Sequence, residues 1–470
     1  MEEGKKTVGF ISLGCPKNLV DSEVMMGLLQ RQGWTITPEA AEADVLVVNT
    51  CSFIQPAQQE SIDTILELAE HKKTGRAQRL VVTGCLVERF RGDIRREMPE
   101  VDAVVGTNEL ERIVAACAGP GTAAQNGGGG LLPVLPQDFF DPRPSAPYLY
   151  DELTPRLRTT PRHSAYIKIA EGCDHPCSFC VIPQYRGAFR SRRFESVAAE
   201  ARRLAEEGAG ELVLIGQDTT CYGDDLGLKH GLAALLARLA EVAEESGTLR
   251  WIRTLYFYPN RVTQPLLETI ARHERLCKYV DMPLQHASAA VLKRMKRGGS
   301  GEIFLKLVER MRATIPGVAL RTTFIVGFPG ESEADFQELC QFVEAAEFDW
   351  LGVFGYSDED SNQAVKLEGK VAPEVIEQRR RELMRVQRRI SRRRRRAQVG
   401  QRLPILVEGA AEETELLWQG RLESQAPEID GKVLINDVAE GVEARAGAFA
   451  TVEITAAQDY DLVGRLVEAG

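Results

Sequence analysis

Three cysteines in the segment EGCDHPCSFC are the sequence feature that most limits what this chain can fold into. Cys173, Cys177 and Cys180 form a C-x3-C-x2-C pattern directly after the predicted strand YIKIAEG. Three thiolates at this spacing can bind three irons of a 4Fe-4S cluster, so the fourth iron has no protein ligand. The pattern therefore predicts a loop at a strand end that holds a cluster with one open iron. We name these three residues the loop thiols.

An open iron suits a radical S-adenosylmethionine site, because the amino and carboxylate groups of that cofactor can coordinate it. The cofactor supplies the radical chemistry, and the protein binds and orients it. Phe179, next to the last cysteine, is predicted to stack near the adenine. The alternative is a structural zinc site with His175 as the fourth ligand. Zinc sites more often use two C-x2-C pairs, so the spacing favours the cluster.

Residues 1–118 alternate predicted strands and helices, which is typical of a parallel α/β sheet with its functional loops at the strand C-terminal ends. Cys15, Cys51 and Cys85 each come just after a predicted strand, in SLGC, VVNTC and VTGC. Loops at one edge of a sheet can converge on one point. These residues, named here the N-terminal thiols, are therefore predicted to bind a second 4Fe-4S cluster. The alternative is three buried structural cysteines, which are common.

Residues 161–397 hold six predicted strands separated by helical patterns, which predicts a partial (β/α)6 barrel like an incomplete TIM barrel. Polar groups are expected at the strand ends: Gln217 after ELVLIG, Gln285 in MPLQHAS, Arg321 in LRTTF and a glycine turn that starts at Gly327. Each of these alone is explained by a structural role. As a set at strand C-terminal ends they favour contact with S-adenosylmethionine, and none is assigned a catalytic role.

Two further regions complete the predicted organisation. Residues 119–160, with GPGTAAQNGGGG and a proline-rich continuation, are predicted to be a linker. Residues 398–470 contain short strands separated by turn residues, which predicts a small antiparallel, OB-like β-barrel. This end of the chain is acidic, since residues 397–470 carry 5 Lys or Arg and 14 Asp or Glu, a net charge of −9.

Composition predicts a cellular compartment. No apolar run approaches the ~20 residues of a membrane span, and the first residues, MEEGKKT, do not resemble a secretory signal. Ten cysteines in 470 residues are too few for a disulfide scaffold, and metal-type spacing suits a reducing compartment. We therefore expect a cytoplasmic protein with no membrane association. The remaining cysteines, predicted to be packing residues, are Cys117, Cys221, Cys277 and Cys340.

The chain resembles the methylthiotransferases, a family of radical S-adenosylmethionine enzymes, along its whole length. It is most similar to the branch that modifies an aspartate of small-subunit ribosomal protein S-twelve. Two departures are visible, because Ser52 stands where the branch more often has glycine and the Gly-rich stretch 119–130 looks like an insertion. The strings that carry the resemblance occur in order: SLGCPKNLVDSE, NTCSFIQPAQQES, VTGCLVERF, IAEGCDHPCSFCVIPQYRGAFRSR, IGQDTT, YVDMPLQHAS, RTTFIVGFPGE, GVFGYSDED and GRLESQAPEIDG.

The resemblance implies a mechanism and a set of partners. It assigns the radical cluster to the loop thiols, a second cluster to the N-terminal thiols, and a TRAM domain that recognises the substrate to the C-terminal barrel. It implies that a 5′-deoxyadenosyl radical removes hydrogen from the aspartate β-carbon, that sulfur is delivered at the open iron of the second cluster, and that another S-adenosylmethionine supplies the methyl group. We expect a monomer that acts with an electron donor, such as flavodoxin or ferredoxin, and with a sulfur donor. Its substrate would be the ribosomal protein, free or in the assembled subunit.

The sister branch modifies tRNA adenosine by the same chemistry. An acidic C-terminal domain should repel phosphates and attract a basic ribosomal protein, which favours the protein substrate. The arginine-rich run 388–396 points the other way, since a basic helix could contact ribosomal RNA. The alternative for this run is a solvated helix face before the C-terminal domain. The acids expected to meet the protein are Glu408, Glu412, Glu413, Glu415 and Asp430.

Two further classes of protein compete with a methylthiotransferase. A non-catalytic iron–sulfur protein would need no open iron at a barrel mouth, and formation of 5′-deoxyadenosine would distinguish it. A cobalamin-dependent radical methylase is disfavoured because the first domain contains no D-x-H-x-x-G motif.

Overall fold

The structure is a computed structural model that describes residues 6–119, 140, 148–359, 362–412 and 414–469. Most of the predicted linker, residues 120–139 and 141–147, lies outside the described residues, and so does Glu413. The chain divides into two compact units. The first comprises residues 1–159, 171–174 and 181–192, and the second comprises residues 160–170, 175–180 and 193–470. Within the described residues, none of the helices has a stretch of apolar residues that could span a lipid bilayer.

The first unit is a parallel sheet with helices, as the strand–helix alternation predicts. Its five strands lie in the order β2-β1-β3-β4-β5 and pair in parallel throughout. Every residue of β3 is buried, because helices cover a parallel sheet on both faces. The elements are β1 (Thr7–Ser12), α1 (Pro16–Arg31), β2 (Thr35–Thr37), β3 (Val45–Thr50), α2 (Gln55–Thr74), β4 (Arg79–Gly84), α3 (Cys85–Glu97), β5 (Ala103–Val105) and α4 (Ile113–Ala118).

Aliphatic side chains from β3 and β4 form the core of this unit with residues of α2 and α3, including Leu46, Val82, Leu68 and Leu86. Two short elements after the loop thiols also belong to the first unit, α5 (Ile182–Arg186) and β8 (Arg190–Ser191). Before the loop thiols come β6 (Ser164–Lys168), which belongs to the second unit, and the two-residue β7 (Ala170–Glu171), which pairs with β8.

The second unit contains the predicted partial barrel. Its six longer parallel strands form two three-stranded sheets, β10-β9-β6 and β11-β12-β13, and an isolated parallel bridge joins Ile252 of β10 to Leu276 ahead of β11. Strand β9 is buried at every position, as expected for a barrel covered by helices. The elements are α6 (Phe194–Glu206), β9 (Glu211–Ile215), α7 (Gly231–Ser246), β10 (Trp251–Thr254), α8 (Gln264–Arg272), β11 (Tyr279–Asp281), α9 (Ala289–Arg294), α10 (Gly301–Thr314), β12 (Ala319–Val326), α11 (Glu333–Ala346), β13 (Trp350–Gly355) and α12 (Pro373–Arg396).

A closed five-stranded barrel ends the second unit and confirms the predicted small β-barrel. The strands close in the order β14-β15-β16-β18-β17 around an aliphatic core that includes Ile405, Val452 and Leu466. One neighbouring pair, β16 and β18, is parallel, whereas an antiparallel barrel was expected. The strands are β14 (Arg402–Ala411), β15 (Thr414–Leu422), β16 (Val433–Val438), β17 (Phe449–Ala457) and β18 (Leu462–Ala469).

Candidate iron–sulfur sites

The N-terminal thiols follow three adjacent strands of the first sheet. Cys15 caps the start of α1 after β1, Cys51 comes directly after β3, and Cys85 is the first residue of α3 after β4. Since β1, β3 and β4 are neighbours and parallel, all three cysteines lie at the same edge of the sheet.

Glycines allow these loops to approach each other closely. Gly14 has a φ of +88°, and a Cβ built on it would lie 2.8 Å from Cβ and 3.1 Å from Sγ of Cys51. Gly84 has a φ of +97°, and its Cβ would lie 2.5 Å from the carbonyl oxygen of Thr50. Any larger residue would be strained at these positions and would push the loops apart. The chain therefore brings the loop before Cys15 into contact with Cys51.

The Asn18 side chain connects all three cysteine loops. Its Nδ2 donates to the carbonyl oxygens of Leu13, 3.1 Å away, and Thr50, 2.9 Å away, while its Oδ1 lies 3.8 Å from Sγ of Cys85. Asn18 is fully buried, so these bonds replace water for the amide. This side chain fixes the positions of the three loops relative to each other.

Arg186, the last residue of α5, lies beside the N-terminal thiols and is buried. Its Nη1 donates to Oδ2 of Asp21 at 2.6 Å and approaches Oε2 of Glu171 at 3.3 Å. Its Nη2 donates to Oδ1 of Asn18 and lies 3.6 Å from Sγ of Cys85. The guanidinium thus places a positive charge and an N–H group against one of the three sulfurs.

The charges around the N-terminal thiols act on their acidity. Burial raises the pKa of Cys15, but Lys17 and Arg186 outweigh it and leave that pKa below its ordinary value. Burial raises the pKa of Cys51, and it raises the pKa of Cys85 to about 12, with Arg186 opposing the rise at both. A soft metal needs thiolates, and a neighbouring cation favours them. Two buried cysteines and the partly exposed Cys15, all beside a buried cation, therefore fit an iron–sulfur cluster as a ligand set.

The loop thiols are partly exposed; Cys173 belongs to the first unit, and Cys177 and Cys180 belong to the second. In the first unit, the Cys173 amide donates to the carbonyl oxygen of Gly187 at 3.1 Å. In the second unit, Cys177 and Cys180 lie on a tight turn in which the Cys180 amide donates to the Cys177 carbonyl oxygen at 3.2 Å. Nη1 of Arg297 lies 3.6 Å from Sγ of Cys177, so a cation faces a sulfur here too.

His175 is held by groups other than the cysteines of its loop. Its Nε2 lies 2.6 Å from Oδ2 of Asp218, and its ring stacks on Tyr258 with centroids 3.7 Å apart. The ligand atoms of His175, Asp218 and Cys221 lie within 4.8 Å of one another, and hydrogen bonds to Asp218 account for this proximity. The side chain proposed as a fourth zinc ligand is therefore already bonded to a carboxylate.

The predicted cofactor contacts of the partial barrel are placed at strand ends in three cases. Gln217 follows β9, and Gly327, with a φ of +74°, follows β12. Gln285 lies in the loop after β11 and has a φ of +71°, which is rare for a residue with a side chain. The backbone N–H of Gln285 donates to the carbonyl oxygen of Thr323 at 2.9 Å, and this bond holds the loop against β12. Phe179, between the last two loop thiols, is half-buried.

Arg321 does not lie at a strand end, so that part of the expectation was wrong. It is the third residue of the eight-residue β12, because this strand begins at Ala319 and continues for five residues after Arg321. Its Nη1 donates to Oδ1 of Asp281 at 2.8 Å, and its Nε lies 3.5 Å from Oδ1 of Asp430. These buried acids hold the guanidinium, while its contact with a cofactor stays a prediction.

The sequence reasoning missed Arg186 and Asn18 as members of the N-terminal site. Both stand inside strings that carried the resemblance, PQYRGAF and CPKNLVD, but neither has a spacing that points to a metal. Arg186 is 171 residues beyond Cys15 in the sequence, and only the fold brings it to the thiols. The available signal was chemical, because clustered thiolates need a nearby cation.

Comparison with known sequence families divides the chain into three parts. Residues 7–106 match the uncharacterized protein family UPF0004, residues 167–343 match the Radical SAM superfamily, and residues 399–467 match the TRAM domain. The six-stranded partial barrel, the three-cysteine loop and these matches define a radical S-adenosylmethionine enzyme. Such an enzyme uses S-adenosylmethionine and a 4Fe-4S cluster.

Curated relatives define the family more narrowly. A ribosomal protein uS12 methylthiotransferase RimO from Solibacter usitatus is 64% identical over 98% of this chain and 94% of the relative. A protein of the same name from Koribacter versatilis is 56% identical over 99% of this chain and 97% of the relative. The chain belongs to the RimO family of ribosomal protein uS12 methylthiotransferases.

Solved structures show the same fold at low sequence identity. The radical S-adenosylmethionine methyltransferase TsrM from Kitasatospora setae, with cobalamin and a [4Fe-4S] cluster bound, has a TM-score of 0.55 and 14% identity. The match covers 77% of this chain and 74% of TsrM. A second TsrM structure, with tryptophan and a cofactor analogue, has a TM-score of 0.51 and 17% identity over 74% of this chain and 73% of TsrM.

Proposed function

We propose that this chain adds a methylthio group to the β-carbon of an aspartate of ribosomal protein uS12. The observation that carries the proposal is the identity of 64% and 56% to two proteins of that name over nearly the full length of both chains. The partial barrel and the three-cysteine loop agree with the chemistry, because replacing an unactivated C–H bond calls for a radical.

The loop thiols would hold the cluster that binds S-adenosylmethionine. When bound, this pair of cofactors supplies a 5′-deoxyadenosyl radical that removes hydrogen from the substrate. The protein orients the reacting groups: Arg297 directs an N–H group at Cys177, and the Tyr258 ring lies between Arg297 and His175. Cofactor contacts are proposed for Phe179, Gln217, Gln285 and Gly327. A contact by Arg321 is also proposed, and it requires the guanidinium to break its ion pairs with Asp281 and Asp430.

The N-terminal thiols would hold a second 4Fe-4S cluster. The support is their position at one edge of the sheet, the contact of Gly14 with Cys51, and the buried cation that faces Cys85. Three protein sulfurs leave one iron open, where a sulfur atom for transfer could be held. The electron donor, of the flavodoxin or ferredoxin type, and the sulfur donor are proposed partners of a monomeric enzyme. Because its substrate belongs to the ribosome, we place the enzyme in the cytoplasm.

The domain limits are proposed as 1–118 for the first iron–sulfur domain, 119–160 for the linker, 161–397 for the radical domain and 398–470 for the TRAM domain. The three family matches begin and end within 12 residues of the corresponding limits, except at residue 343, where the radical match ends before α12. Helix α12 is assigned to the radical domain because it packs on β13 of the partial barrel.

Surface charge supports a basic protein substrate over tRNA. On the C-terminal barrel, Glu412, Glu440 and Glu443 are exposed, and the field of such acids attracts a cationic partner and repels phosphate. Six arginines of the run 388–396, which was the candidate RNA contact, are paired with acids of the same unit. Examples are Arg392 with Asp459 at 2.7 Å, Arg389 with Glu344 at 2.9 Å and Arg394 with Asp349 at 2.7 Å.

Mass spectrometry of ribosomal protein uS12 and of tRNA from cells that lack this gene tests the proposal. We expect uS12 without its methylthio group and tRNA unchanged. The wild-type gene should restore the modification, and a gene carrying Cys177→Ala should not. Unmodified tRNA adenosine beside fully modified uS12 would assign the chain to the tRNA reaction instead.

A further inference from the structure

The side chain of Arg186 is one of the largest fully buried polar groups of the protein. The residue is 2% exposed, and its ion pair with Asp21 has side chains 2% and 4% exposed. Burying a guanidinium is costly unless charged partners and hydrogen bonds compensate it. Asp21 and Glu171 supply that compensation from one side.

The opposite arm of the same guanidinium is aimed at sulfur. Nη2 lies 3.6 Å from Sγ of Cys85 and also donates to Oδ1 of Asn18, the residue that connects the three cysteine loops. The planar fork of arginine makes this division possible, because its terminal nitrogens donate in fixed and different directions. The acids therefore fix the orientation in which the guanidinium meets the thiol.

The sulfur of Cys85 lies in dry surroundings. Cys85 packs against Val181 and Tyr185, which come before Arg186 on the same stretch of chain. Charges act strongly in such a dry environment. The buried guanidinium therefore places its charge beside the sulfur with little screening by water.

We propose that Arg186 sets the reduction potential of the cluster held by the N-terminal thiols, through its N–H group at Cys85 and its positive charge. The proposal rests on the cluster assigned to these thiols under the proposed function. Reduction potentials of iron–sulfur clusters depend on hydrogen bonds to the sulfurs, on net charge and on solvent exposure. A cation that donates to a ligand sulfur stabilises the reduced, more negative cluster. Arg186 is thus a positioning and tuning residue of the second cluster.

The chain contains a matched control for a purely structural role. Arg156 forms a buried ion pair in the same unit, with Oε2 of Glu23 at 2.6 Å and side chains 2% and 0% exposed. Glu23 lies on α1, two residues beyond Asp21. Arg156→Gln therefore breaks an equally buried pair on the same helix, but one that faces a carboxylate and not a thiol.

The test uses full-length protein in which the loop thiols are replaced, Cys173→Ala, Cys177→Ala and Cys180→Ala, so that the N-terminal cluster is observed alone. Redox titration monitored by electron paramagnetic resonance gives its potential after anaerobic reconstitution. We expect Arg186→Gln to shift the potential to more negative values and Arg186→Lys to shift it less, because lysine keeps the charge but not the fork. Arg156→Gln should leave the potential unchanged.

Asp21→Asn provides an independent measurement if Arg186→Gln does not retain the cluster. This variant keeps the guanidinium but removes a charge that neutralises it, so the potential should shift to more positive values. A potential that is unchanged in iron-loaded Arg186→Gln, or in iron-loaded Asp21→Asn, overturns the role of Arg186. A parent protein that binds no iron overturns the second cluster itself, because about four irons are expected there. The iron content therefore tests whether the second cluster exists, and the reduction potential tests the role of Arg186.

Discussion

A buried carboxylate between two arginines joins the partial barrel to the C-terminal barrel. Glu211 begins β9, and its Oε1 accepts from Nε of Arg253 at 3.0 Å while its Oε2 accepts from Nη2 of Arg421, on β15, at 2.6 Å. The side chains of Glu211 and Arg253 are 0% exposed, and that of Arg421 is 3% exposed. We predict that Glu211→Gln strongly destabilises the second unit, because it leaves two arginines buried together without their shared counter-ion.

The size of this effect follows from the ionisation of Glu211. Burial raises the pKa of its carboxyl, but Arg421 and Arg253 outweigh burial and lower that pKa to about 2. A fall from 4.5 to about 2 corresponds to about 3 kcal/mol of stabilisation of the charged form. Removing one partner of a buried ion pair costs about 3–5 kcal/mol, which agrees. Because the pKa is lowered by folding, this contribution is present above pH 4.5 and is lost as the pH falls toward 2.

Denaturant unfolding of a Trp34→Phe background measures the prediction, because the other three tryptophans all lie in the second unit. Glu211→Gln should lower the unfolding midpoint clearly. Arg421→Met should lower the unfolding midpoint less, since Glu211 keeps its ion pair with Arg253. Adding Arg421→Met to Glu211→Gln should restore part of the stability, because one of two repelling cations is removed.

Glu302→Gln is the control for loss of a surface ion pair, since the side chains of Glu302 and Lys306 are 77% and 70% exposed. Exposed pairs contribute little, so its midpoint should stay that of the parent. The reasoning is refuted if Glu211→Gln behaves like this control, or if Arg421→Met is the more damaging of the two changes.

Three further predictions concern the sites and the substrate. Replacing all N-terminal thiols by alanine should leave about half of the ~8 irons and preserve cleavage of S-adenosylmethionine to 5′-deoxyadenosine; loss of cleavage would contradict the division of roles between the clusters. Alanine at any one of the loop thiols should abolish 5′-deoxyadenosine in a chromatographic assay, and retained cleavage in the triple variant would exclude this site. Reversing Glu412, Glu440 and Glu443 to lysine should slow modification of uS12 without changing the cleavage of S-adenosylmethionine in the absence of substrate. The effect should be clearest at low salt, because charges more than ~8 Å apart are screened at physiological salt. Equal rates for parent and variant would mean that these acids do not guide the substrate.

The periodicity of the sequence predicted most of the fold. Strand–helix alternation predicted the parallel sheet of the first unit and the parallel strands of the partial barrel, because each buried strand is a short apolar run between helices. The parallel pairing of β16 and β18 was missed, since local patterns in a small barrel do not specify which strands become neighbours. The position of Arg321 was missed for a similar reason: the strand continues for five residues after it, two of them threonines, and a strand end cannot be located from apolar character alone.

The individual acids of the C-terminal barrel show what composition cannot predict. Net charge identified an acidic domain, but Asp430 has a buried side chain that accepts from the Tyr279 hydroxyl at 2.6 Å, and burial raises its pKa to about 6. Glu408 is paired with Arg421 at 2.6 Å. Both acids are held by groups of the same unit, and the side chain of Glu415 lies outside the described residues. Pairing across strands depends on register, which charge counts do not contain.

The path of the chain between residues 159 and 193 limits how this enzyme could be divided or recombined. Residues 171–174 and 181–192 belong to the first unit, although the stretches before, between and after them belong to the second. A gene fragment that ended at residue 159 would keep the N-terminal thiols but lose Arg186, leaving Asp21 and Cys85 without the cation that faces them. A swap between relatives at the proline-rich stretch would pair thiols from one parent with an arginine from the other. A fragment or exchanged segment that keeps the N-terminal thiols with their own arginine must therefore extend to residue 192.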